Sequence, residues 1–561
     1  MDRPHADVLV IGGGINGAAA FRDLALQGVD VILVDGGDFS GGASAASSHM
    51  VHGGLRYLEN GEFRLVQEAV RERNDLLRTA PHAVRPLRTT IPLSSTFGGL
   101  LTGPLRFLRI GRGRRSPRGA VLVEVGLTVY DTFSRGGMLP WHRMRGRRSA
   151  LRRHPELRPD TRYTATYWDA SALHPERLAL EMVWDGLVSG RGRARAANYA
   201  EVVGAADGTV IVRDGESGQE TRITASVVVN ASGPWADLTN AALGLPTAYL
   251  GGTKGSHIVL DDDRLLAATA GDEIFFEHDD GRIVLIYPLH GRVLVGTTDL
   301  EHDIRTEAVC TDVEVDYFVE LIEHVLPGIP VDRSRIVYRY SGVRPLPRHG
   351  DTDPGRVSRD YRVESGVLPG ADRTRILTLV GGKWTTFRAS AEHVADRALA
   401  TLGRPRRVST RGLPIGGGWG MPRSASARER WIAEHRGDVG AERARVLLER
   451  YGTAADRVIA AVAADPADAP LTAAPEYSTA ELRHLAATEH VTHLDDLTLR
   501  RTLIGFRHGV TEATAGEAAA VVADVLGWDD ERMDAEVRRV LGEAAPGGQA
   551  TSTTPIMPRS S

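Results

Sequence analysis

Short β-branched runs and one helical stretch alternate along the first 35 residues. Residues 8–11 are uniformly apolar, as expected of a parallel strand that is buried on both faces. A helical stretch follows a glycine-rich turn, and a second apolar run at 31–34 ends on Asp35. The pattern predicts a strand–helix–strand unit in a parallel sheet.

Four apolar runs in the middle of the chain follow one another without an intervening helix. Strands in immediate succession predict an antiparallel sheet, and hence a second subdomain. A helix is predicted to follow these strands at 312–325. The runs lie at residues 256–260, 273–278, 281–289 and 292–299.

The C-terminal part of the chain has a different texture. Residues 376–393 have strand–turn–helix character, so we expect the chain to re-enter the first sheet there. Alanine-rich and charged segments with helical spacing then predict a separate helical domain over 404–545. The last residues, 546–561, have no periodicity and are expected to be disordered.

The first turn carries a phosphate-binding pattern. Gly12, Gly14 and Gly17 form G-x-G-x-x-G, with Asn16 inside it, where the first strand gives way to the helix. Glycines here allow a tight turn, close approach to a pyrophosphate and close packing of helix on strand. Asp35, about 20 residues further on, can accept a hydrogen bond from a ribose 2′-hydroxyl. An acid at this position argues against the 2′-phosphate of NADP. The motif predicts dinucleotide binding but does not separate FAD from NAD.

A Gly/Ser/Ala-rich stretch, residues 36–60, follows the second strand. Its composition fits either a flexible surface loop or a backbone that lies against a ligand. Its position beside the dinucleotide unit favours a cofactor-cradling loop. Ser44, Ser47 and Ser48 offer hydroxyls to such a ligand.

Four cations or proton carriers lie at glycine-rich turns: His52 and Arg56 in HGGLRY, Arg344 in SGVRPL, and Lys383 in GGKWTT. Each arginine alone fits a surface salt bridge, and His52 alone fits a histidine satisfied within the core. Lysine, however, is seldom buried unless it is paired. Together the four indicate a pocket for a substrate that bears a phosphate or carboxylate.

Composition narrows the class of protein. A net charge of -4 over 561 residues gives no reason to expect nucleic acid as a partner. The single cysteine, Cys310, excludes an intramolecular disulfide, fits a reducing compartment and is expected to be inert. We predict no metal site.

The chain carries no apparent targeting or membrane-spanning segment. The first strand begins too early to leave room for a signal peptide, and no apolar stretch approaches the roughly 20 residues of a membrane-spanning helix. The protein is therefore expected to be soluble or to lie on a membrane surface. An arginine cluster at 104–118 fits either a solvated basic loop or a patch that binds anionic lipid.

Seven segments, taken in chain order, resemble those of one family, the FAD-dependent (respiratory) glycerol-3-phosphate dehydrogenases, which do not use NAD. The resemblance runs from Asp7 to about Arg388 and is weaker through the helical domain. The segments are SSHMVHGGLRYLENGEFRLVQEA, NASGPWAD, KGSHIVL, VGTTD, YSGVRPL, SRDY and GGKWTTFR.

The resemblance implies an α/β fold with a Rossmann-like FAD domain, an antiparallel substrate-binding sheet as in D-amino-acid oxidase, and a C-terminal helical domain. Residues 1–400 would form the FAD-dependent oxidoreductase region. Its FAD segments are expected at about 1–95, 160–250 and 335–400, and its substrate-sheet segments at about 96–160 and 251–334.

The resemblance also implies an activity and its partners. The family oxidises sn-glycerol 3-phosphate to dihydroxyacetone phosphate by hydride transfer to FAD, and passes the electrons to a quinone. It works in the cytoplasm as a peripheral protein on the inner face of the cell membrane. A homodimer is left open.

Carried over to this sequence, the resemblance implies two sets of site residues. His52, Arg56, Arg344 and Lys383 would form the catalytic group, with either His52 or Lys383 as the base, and Tyr57 and Arg359 would complete the substrate pocket. The FAD contacts would be Gly12, Gly14, Asn16, Gly17, Asp35, Ser44, Ser47, Ser48 and Gly382.

Three parts of the sequence depart from the family pattern, one of them the basic segment at 104–118, where members usually have an apolar stretch. Many members have Thr-Ser-Ser where this chain has Ala43, Ser44 and Ala45. Members also usually have a basic residue where this chain has His49.

Three other functions stay open on the sequence. The first is a flavin oxidase of the same superfamily that acts on an amino acid or a 2-hydroxy acid. The second keeps glycerol 3-phosphate as substrate and uses oxygen as acceptor. The third is a non-enzymatic FAD-binding module, which the four cations disfavour because such a module does not need them.

Overall fold

The computed structural model describes residues 3–55, 58, 62–97, 119–134, 137–277, 283–348, 360–371 and 373–544. Within them the chain forms two large sheets, helices that pack on those sheets, and a C-terminal group of helices. No helix in these ranges is both long and apolar enough to cross a bilayer.

The first sheet contains the predicted strand–helix–strand unit. Strand β1 (His5–Ile11) pairs in parallel with β2 (Val31–Val34) and with β10 (Glu220–Asn230), and helix α1 (Ile15–Leu26) joins β1 to β2. Apolar residues on both faces of β1 and β2 are buried, which explains their uniformly apolar sequences. The other strands are β7 (Ala194–Ala197), β8 (Ala200–Ala206), β9 (Thr209–Asp214), β17 (Arg362–Val367) and β18 (Arg375–Val380).

The order across the first sheet is β17-β18-β10-β1-β2-β7, with β9 paired to β10 and β8 paired to β9. β18 lies parallel to β10, so the chain does re-enter the first sheet near residue 376, as the pattern predicts. Helix α1 packs against two later helices, α5 (Pro175–Gly190) and α9 (Phe387–Thr401).

The second sheet is mostly antiparallel, as predicted. Its strands are β3 (Met50–Val51), β4 (Val84–Leu93), β5 (Arg143–Gly146), β6 (Tyr163–Ala172), β11 (Leu250–Leu260), β12 (Glu273–Glu277), β13 (Ile283–Leu289), β14 (Arg292–Gly296), β15 (Leu300–Glu301) and β16 (Ile336–Pro347). Their order is β15-β11-β14-β13-β12-β4-β6-β3, with β16 paired to β11 and β5 paired to β6. One adjacent pair, β4 and β12, is parallel.

Four strands depart from the segment boundaries expected from the sequence. β3, β4, β6 and β16 lie in segments assigned to the FAD domain (1–95, 160–250 and 335–400), yet all four belong to the second sheet. β4 and β6 pair with each other over their full lengths, and β16 pairs along β11. A strand's partner is set by contacts far along the chain, which a local apolar pattern does not reveal.

The remaining helices of the first 400 residues lie against these sheets. Helix α8 (Asp312–Val325) spans the predicted residues, and Thr311 caps it in a reciprocal capping box with Glu314. The helices are α2 (Phe63–Thr79), α3 (Ala120–Phe133), α4 (Arg147–Arg153), α6 (Ala236–Ala242), α7 (Asp263–Ala268) and α8 (Asp312–Val325).

The predicted C-terminal helical domain is confirmed, and it has its own apolar core. A single π-helical turn (Asp496–Arg501) faces the first domain. The predicted disordered tail, 546–561, lies outside the described residues. The helices are α10 (Ala425–His435), α11 (Ala441–Tyr451), α12 (Ala455–Ala464), α13 (Thr479–Thr488), α14 (Ile504–His508), α15 (Glu512–Leu526) and α16 (Asp530–Ala544).

Candidate functional site

Two glycines of the turn after β1, Gly12 and Gly17, have no room for a side chain. Gly12 has φ +102°, and a Cβ there would lie 2.6 Å from the carbonyl oxygen of Ala231. A Cβ on Gly17 would lie 1.7 Å from the Gly12 carbonyl oxygen. Helix α1 can therefore approach β1 this closely only because both positions are glycine.

In front of the turn lies the N-terminus of α1. The amide of Ile15 donates to Ser44 Oγ at 2.9 Å. A Cβ on Gly14 would meet only this hydroxyl, at 3.1 Å, so the space before the helix is otherwise open. Free amides and the positive end of the helix dipole suit this space to an anion such as a pyrophosphate.

Asp35 lies beside the glycine turn, as the sequence predicts. Its carboxylate accepts hydrogen bonds from the amides of Gly13 at 2.6 Å and Gly37 at 2.9 Å. Burial raises the pKa of Asp35 to about 6, although these two hydrogen bonds favour the charged form. The carboxylate is thus placed to accept a further hydrogen bond from a ribose hydroxyl.

The serine loop, residues 41–52, connects the glycine turn to the second sheet. Ser48 Oγ lies 2.8 Å from His257 Nε2 on β11, and the carbonyl of Ser47 accepts from the hydroxyl of Tyr340 on β16 at 2.8 Å. The rings of His257 and Tyr340 stack with centroids 4.8 Å apart. The second sheet therefore fixes the position of Ser47 and Ser48.

The end of the serine loop meets the turn after β18. The amide of His52 donates to Thr385 Oγ1 at 3.2 Å, and this hydroxyl donates to the His52 carbonyl at 3.2 Å. Lys383, two residues before Thr385, is 8% exposed. Two of the predicted proton carriers are thus brought to the same turn.

Gly382 and Asn16 also come together there. Gly382 has φ +103°, and a Cβ on it would lie 3.8 Å from Asn16 Nδ2. Asn16 Oδ1 accepts a hydrogen bond from Ser390 Oγ at 2.8 Å, which ties α1 to α9. The glycine pair therefore lies next to the first turn of α1.

Arg344 lies on β16 and is held by three acceptors. Its guanidinium donates to Asp299 Oδ1 at 2.8 Å, to Thr297 Oγ1 at 2.8 Å and to the carbonyl of Thr298 at 3.0 Å. Burial, with a smaller contribution from nearby Arg344, holds the pKa of His257 well below its ordinary value. His257 is therefore neutral beside a fixed cation.

Three predicted site residues, Arg56, Tyr57 and Arg359, lie outside the described residues. The basic cluster at 104–118 also lies outside them. The functional roles of all the predicted site residues stay predictions.

Sequence reasoning did not single out two residues that the geometry places here. His257 and Asp299 lie in KGSHIVL and VGTTD, segments that the sequence marks as predicted strands and as part of the family resemblance. A histidine and an acid inside such segments are signals that could have been found. Their partners could not, because Ser48, which contacts His257, and Arg344, which contacts Asp299, lie far away in the sequence.

His49, which replaces the usual basic residue, is buried. Burial lowers the pKa of His49 to about 4, with nearby His290 as a further cause. Its Nδ1 lies 3.1 Å from the carbonyl oxygen of Ala172. This position in the serine loop is therefore uncharged at neutral pH.

Comparison with known proteins decides the family. A model of the FAD dependent oxidoreductase family matches residues 7–397, and a model of the C-terminal domain of alpha-glycerophosphate oxidase matches residues 408–533. A glycerol-3-phosphate dehydrogenase from Synechocystis sp. is 31% identical, over 95% of this chain and 95% of its own. The chain belongs to the FAD-dependent glycerol-3-phosphate dehydrogenase family.

Two further proteins are similar to this chain. A D-erythritol 1-phosphate dehydrogenase from Brucella abortus is also 31% identical, over 88% of this chain and 94% of its own. The crystal structure of a glycerol-3-phosphate dehydrogenase from Bacillus halodurans, complexed with FAD, shares the fold. Its TM-score is 0.73 at 22% identity, and the match covers 100% of this chain and 97% of that one.

The glycine turn fits the cofactor of the family. The dinucleotide half of FAD needs a close backbone approach, room for its pyrophosphate and an acceptor for its ribose hydroxyl. The turn provides these at Gly12 and Gly17, in the open space before Ile15 and in the carboxylate of Asp35. The serine loop and Gly382 lie between this turn and the second sheet, where the flavin end would be held.

Gly17→Ala tests the close approach of α1 to β1. Because its Cβ would lie 1.7 Å from the Gly12 carbonyl oxygen, the helix must shift away from the turn. We expect the ratio of bound FAD to purified protein to fall at least about tenfold, since the phosphate site is built from this turn. The ratio is measured by flavin absorbance.

Gly516→Ala on α15 is the matched control. No atom lies within 4 Å of its Cβ position, and alanine favours a helix over glycine by about 1 kcal/mol. FAD content should be unchanged there. Retention of FAD by Gly17→Ala at the level of this control would contradict the assignment.

Asp35 predicts a pH dependence of FAD binding. Its raised pKa means that the folded apoprotein holds an extra proton between about pH 4 and pH 6, so this group's contribution to the free energy of unfolding falls as pH rises through that window. A ribose hydroxyl that donates to Asp35 favours the ionised form. We therefore expect the Kd for FAD to fall roughly tenfold between pH 5 and pH 7.

Equilibrium titration of apoprotein with FAD at several pH values measures this slope. Asp35→Asn should bind FAD more weakly at pH 7 and should lack the slope. Equal slopes in the two proteins would mean that another group is responsible.

Proposed function

We propose that the protein oxidises sn-glycerol 3-phosphate to dihydroxyacetone phosphate, with FAD as the hydride acceptor. The observation that carries the proposal is the guanidinium of Arg344, fixed by Asp299 and Thr297 next to His257, which in turn contacts the serine loop. A guanidinium held in one orientation suits bidentate binding of a phosphate. The activities named for the relatives support a polyol phosphate as substrate.

The residues of the chain bind the substrate and move its proton. When bound, FAD supplies the acceptor for the two electrons and the hydrogen of the C2–H bond. Arg344 holds the phosphate, while His52 or Lys383 takes the proton of the C2 hydroxyl, so that the C2–O bond becomes a carbonyl. Neutral His257 keeps Ser48 in place. The family resemblance implies Arg56, Tyr57 and Arg359 as further substrate-binding residues.

A second candidate substrate is D-erythritol 1-phosphate. It is favoured by the Brucella abortus relative, which is as similar in identity as the first glycerol-3-phosphate dehydrogenase. Both substrates combine a phosphate with a polyol, so the same guanidinium and base would serve. They differ in length, which the pocket around Arg344 has to accommodate.

Anaerobic titration of the purified yellow protein separates the substrates. We expect complete bleaching of the flavin by sn-glycerol 3-phosphate, and no bleaching by glycine, sarcosine or 2-hydroxyglutarate. Bleaching at lower concentrations of D-erythritol 1-phosphate than of sn-glycerol 3-phosphate would assign D-erythritol 1-phosphate as the substrate. Bleaching by one of the carboxylates alone would overturn the proposal.

Arg344→Met tests the phosphate contact. Charge-assisted hydrogen bonds contribute about 1.5–3 kcal/mol each, so we expect kcat/KM to fall by at least roughly tenfold to a hundredfold. FAD content should stay near wild type, because Arg344 lies on the second sheet. Arg305→Met, an exposed arginine paired with Asp303, is the control and should keep wild-type kinetics. Wild-type kinetics in Arg344→Met would remove Arg344 from the site.

For the electron acceptor we propose a quinone, reached from a membrane surface. Exposed apolar side chains on α3 and on the segments that contact it support this proposal: Phe97, Val121, Val125, Met138 and Trp141. The amide of Val121 donates to the carbonyl of Thr96, and His142 contacts Glu124, so the sequence neighbours of Phe97 and Trp141 both contact α3. The arginines of 104–118 lie between Phe97 and Val121 in the sequence and would favour anionic lipid.

Vesicle flotation and reoxidation test this acceptor. We expect the protein to float with vesicles of phosphatidylcholine and phosphatidylglycerol, and the reduced protein to be reoxidised by a quinone analogue faster than by oxygen.

Val125→Asp should weaken flotation roughly tenfold, since a buried valine contributes about 1.5 kcal/mol. Val313→Asp, which changes another exposed valine, on α8, should have no effect. Stoichiometric peroxide and no flotation would assign an oxidase instead.

A further inference from the structure

The segment from Asp35 to Ser40 forms the floor of the glycine turn. Asp35 accepts from the Gly13 amide, and the amide of Ser40 donates to the Gly13 carbonyl at 3.0 Å. A Cβ on Gly13 would lie 2.4 Å from the ring of Phe39. The peptide of Gly13, in the middle of the phosphate turn, therefore takes its position from this segment.

Asp38, at the centre of the segment, is held by the C-terminal domain. Arg501 forms two parallel hydrogen bonds to its carboxylate, at 2.6 and 2.7 Å, and Arg500 Nε adds a third at 2.6 Å. The Asp38 side chain has no exposed surface. The partners lie more than 460 residues apart in sequence, so a different domain takes part in fixing the segment under the glycine turn. Within the first domain, Asn198 Nδ2 also donates to Asp38, at 3.1 Å.

The two arginines are themselves fixed within the helical domain. Arg500 Nη2 donates to Asp495 and Asp496, each at 2.6 Å, and Arg501 Nε donates to the carbonyl of Glu489 at 2.8 Å. Buried ion clusters add little net stability, because desolvation offsets their attraction, but they impose geometry. This cluster requires Asp38 to occupy one position when the helical domain is docked.

We propose that Arg501 is a positioning residue for FAD: by clamping Asp38 it pre-organises the turn and the Asp35 carboxylate that receive the dinucleotide. FAD binding and docking of the helical domain are then coupled, and the coupling is reciprocal. FAD makes the docked state more stable, and docking makes FAD bind more tightly. The helical domain thus takes part in cofactor binding through a contact that does not touch the cofactor.

A second pair between the domains provides a matched control. Arg177, on α5, forms two hydrogen bonds to Glu489, at 2.6 and 2.7 Å, and both side chains are buried. Arg177 also bonds the backbone carbonyl of Arg501, but no hydrogen bond joins it to the described residues 35–40. Its loss should weaken docking to a similar extent without releasing Asp38.

The experiment compares Arg501→Met, Arg501→Lys and Arg177→Met in the full chain. The Kd for FAD is measured on apoprotein by quenching of flavin fluorescence, and Tm is measured with and without FAD. We expect Arg501→Met to weaken FAD binding at least tenfold, and Arg501→Lys to recover part of that loss. Arg177→Met should lower Tm about as much as Arg501→Met does, but should change the Kd for FAD less than threefold. The visible spectrum of bound flavin should match wild type in all three.

Equal weakening of FAD binding by Arg501→Met and Arg177→Met, in proportion to their loss of Tm, would overturn the proposal, as would a wild-type Kd in Arg501→Met.

Hydrogen exchange on the wild-type protein tests the proposal independently of whether the variants fold. Adding FAD should slow amide exchange over 489–501 by at least tenfold. Exchange there that does not respond to FAD would also overturn the proposal.

Discussion

The close contact between α1 and β1 is the constraint on which the rest of the site depends. Only because residues 12 and 17 lack side chains can the helix N-terminus lie against the end of the strand. That position directs the first amides of α1 to the open space before the turn and sets the distance to Ser44. The serine loop is anchored there, and through it the second sheet is placed.

The local chemistry of the dinucleotide unit could be predicted from the sequence. Strand, turn, helix and acid follow one another within 30 residues, and each is dictated by nearby residues: β-branched runs for the strands, glycines for the turn and Asp35 at the end. The succession of apolar runs after residue 250 similarly indicated an antiparallel sheet. In both cases the information lies within a few residues of the structure it specifies.

Strand pairing and side-chain partners could not be predicted in this way. β4 looks like an ordinary strand, and nothing in residues 84–93 indicates that β6, some 70 residues later, is its partner. The same holds for His257, whose contact with Ser48 spans 209 residues. Family resemblance marked the segments that meet, but the particular atoms that meet are set by tertiary packing.

The length of chain between Asp38 and Arg501 has a consequence for how the protein is made. During synthesis, at roughly 5–20 residues per second, Asp38 leaves the ribosome about 23 to 93 seconds before its arginine partners. For that period its carboxylate must stay in water, because burying it unpaired is too costly. The floor of the nucleotide turn is therefore finished only after nearly the whole polypeptide has been translated, so nascent chains and prematurely terminated products have an incomplete turn.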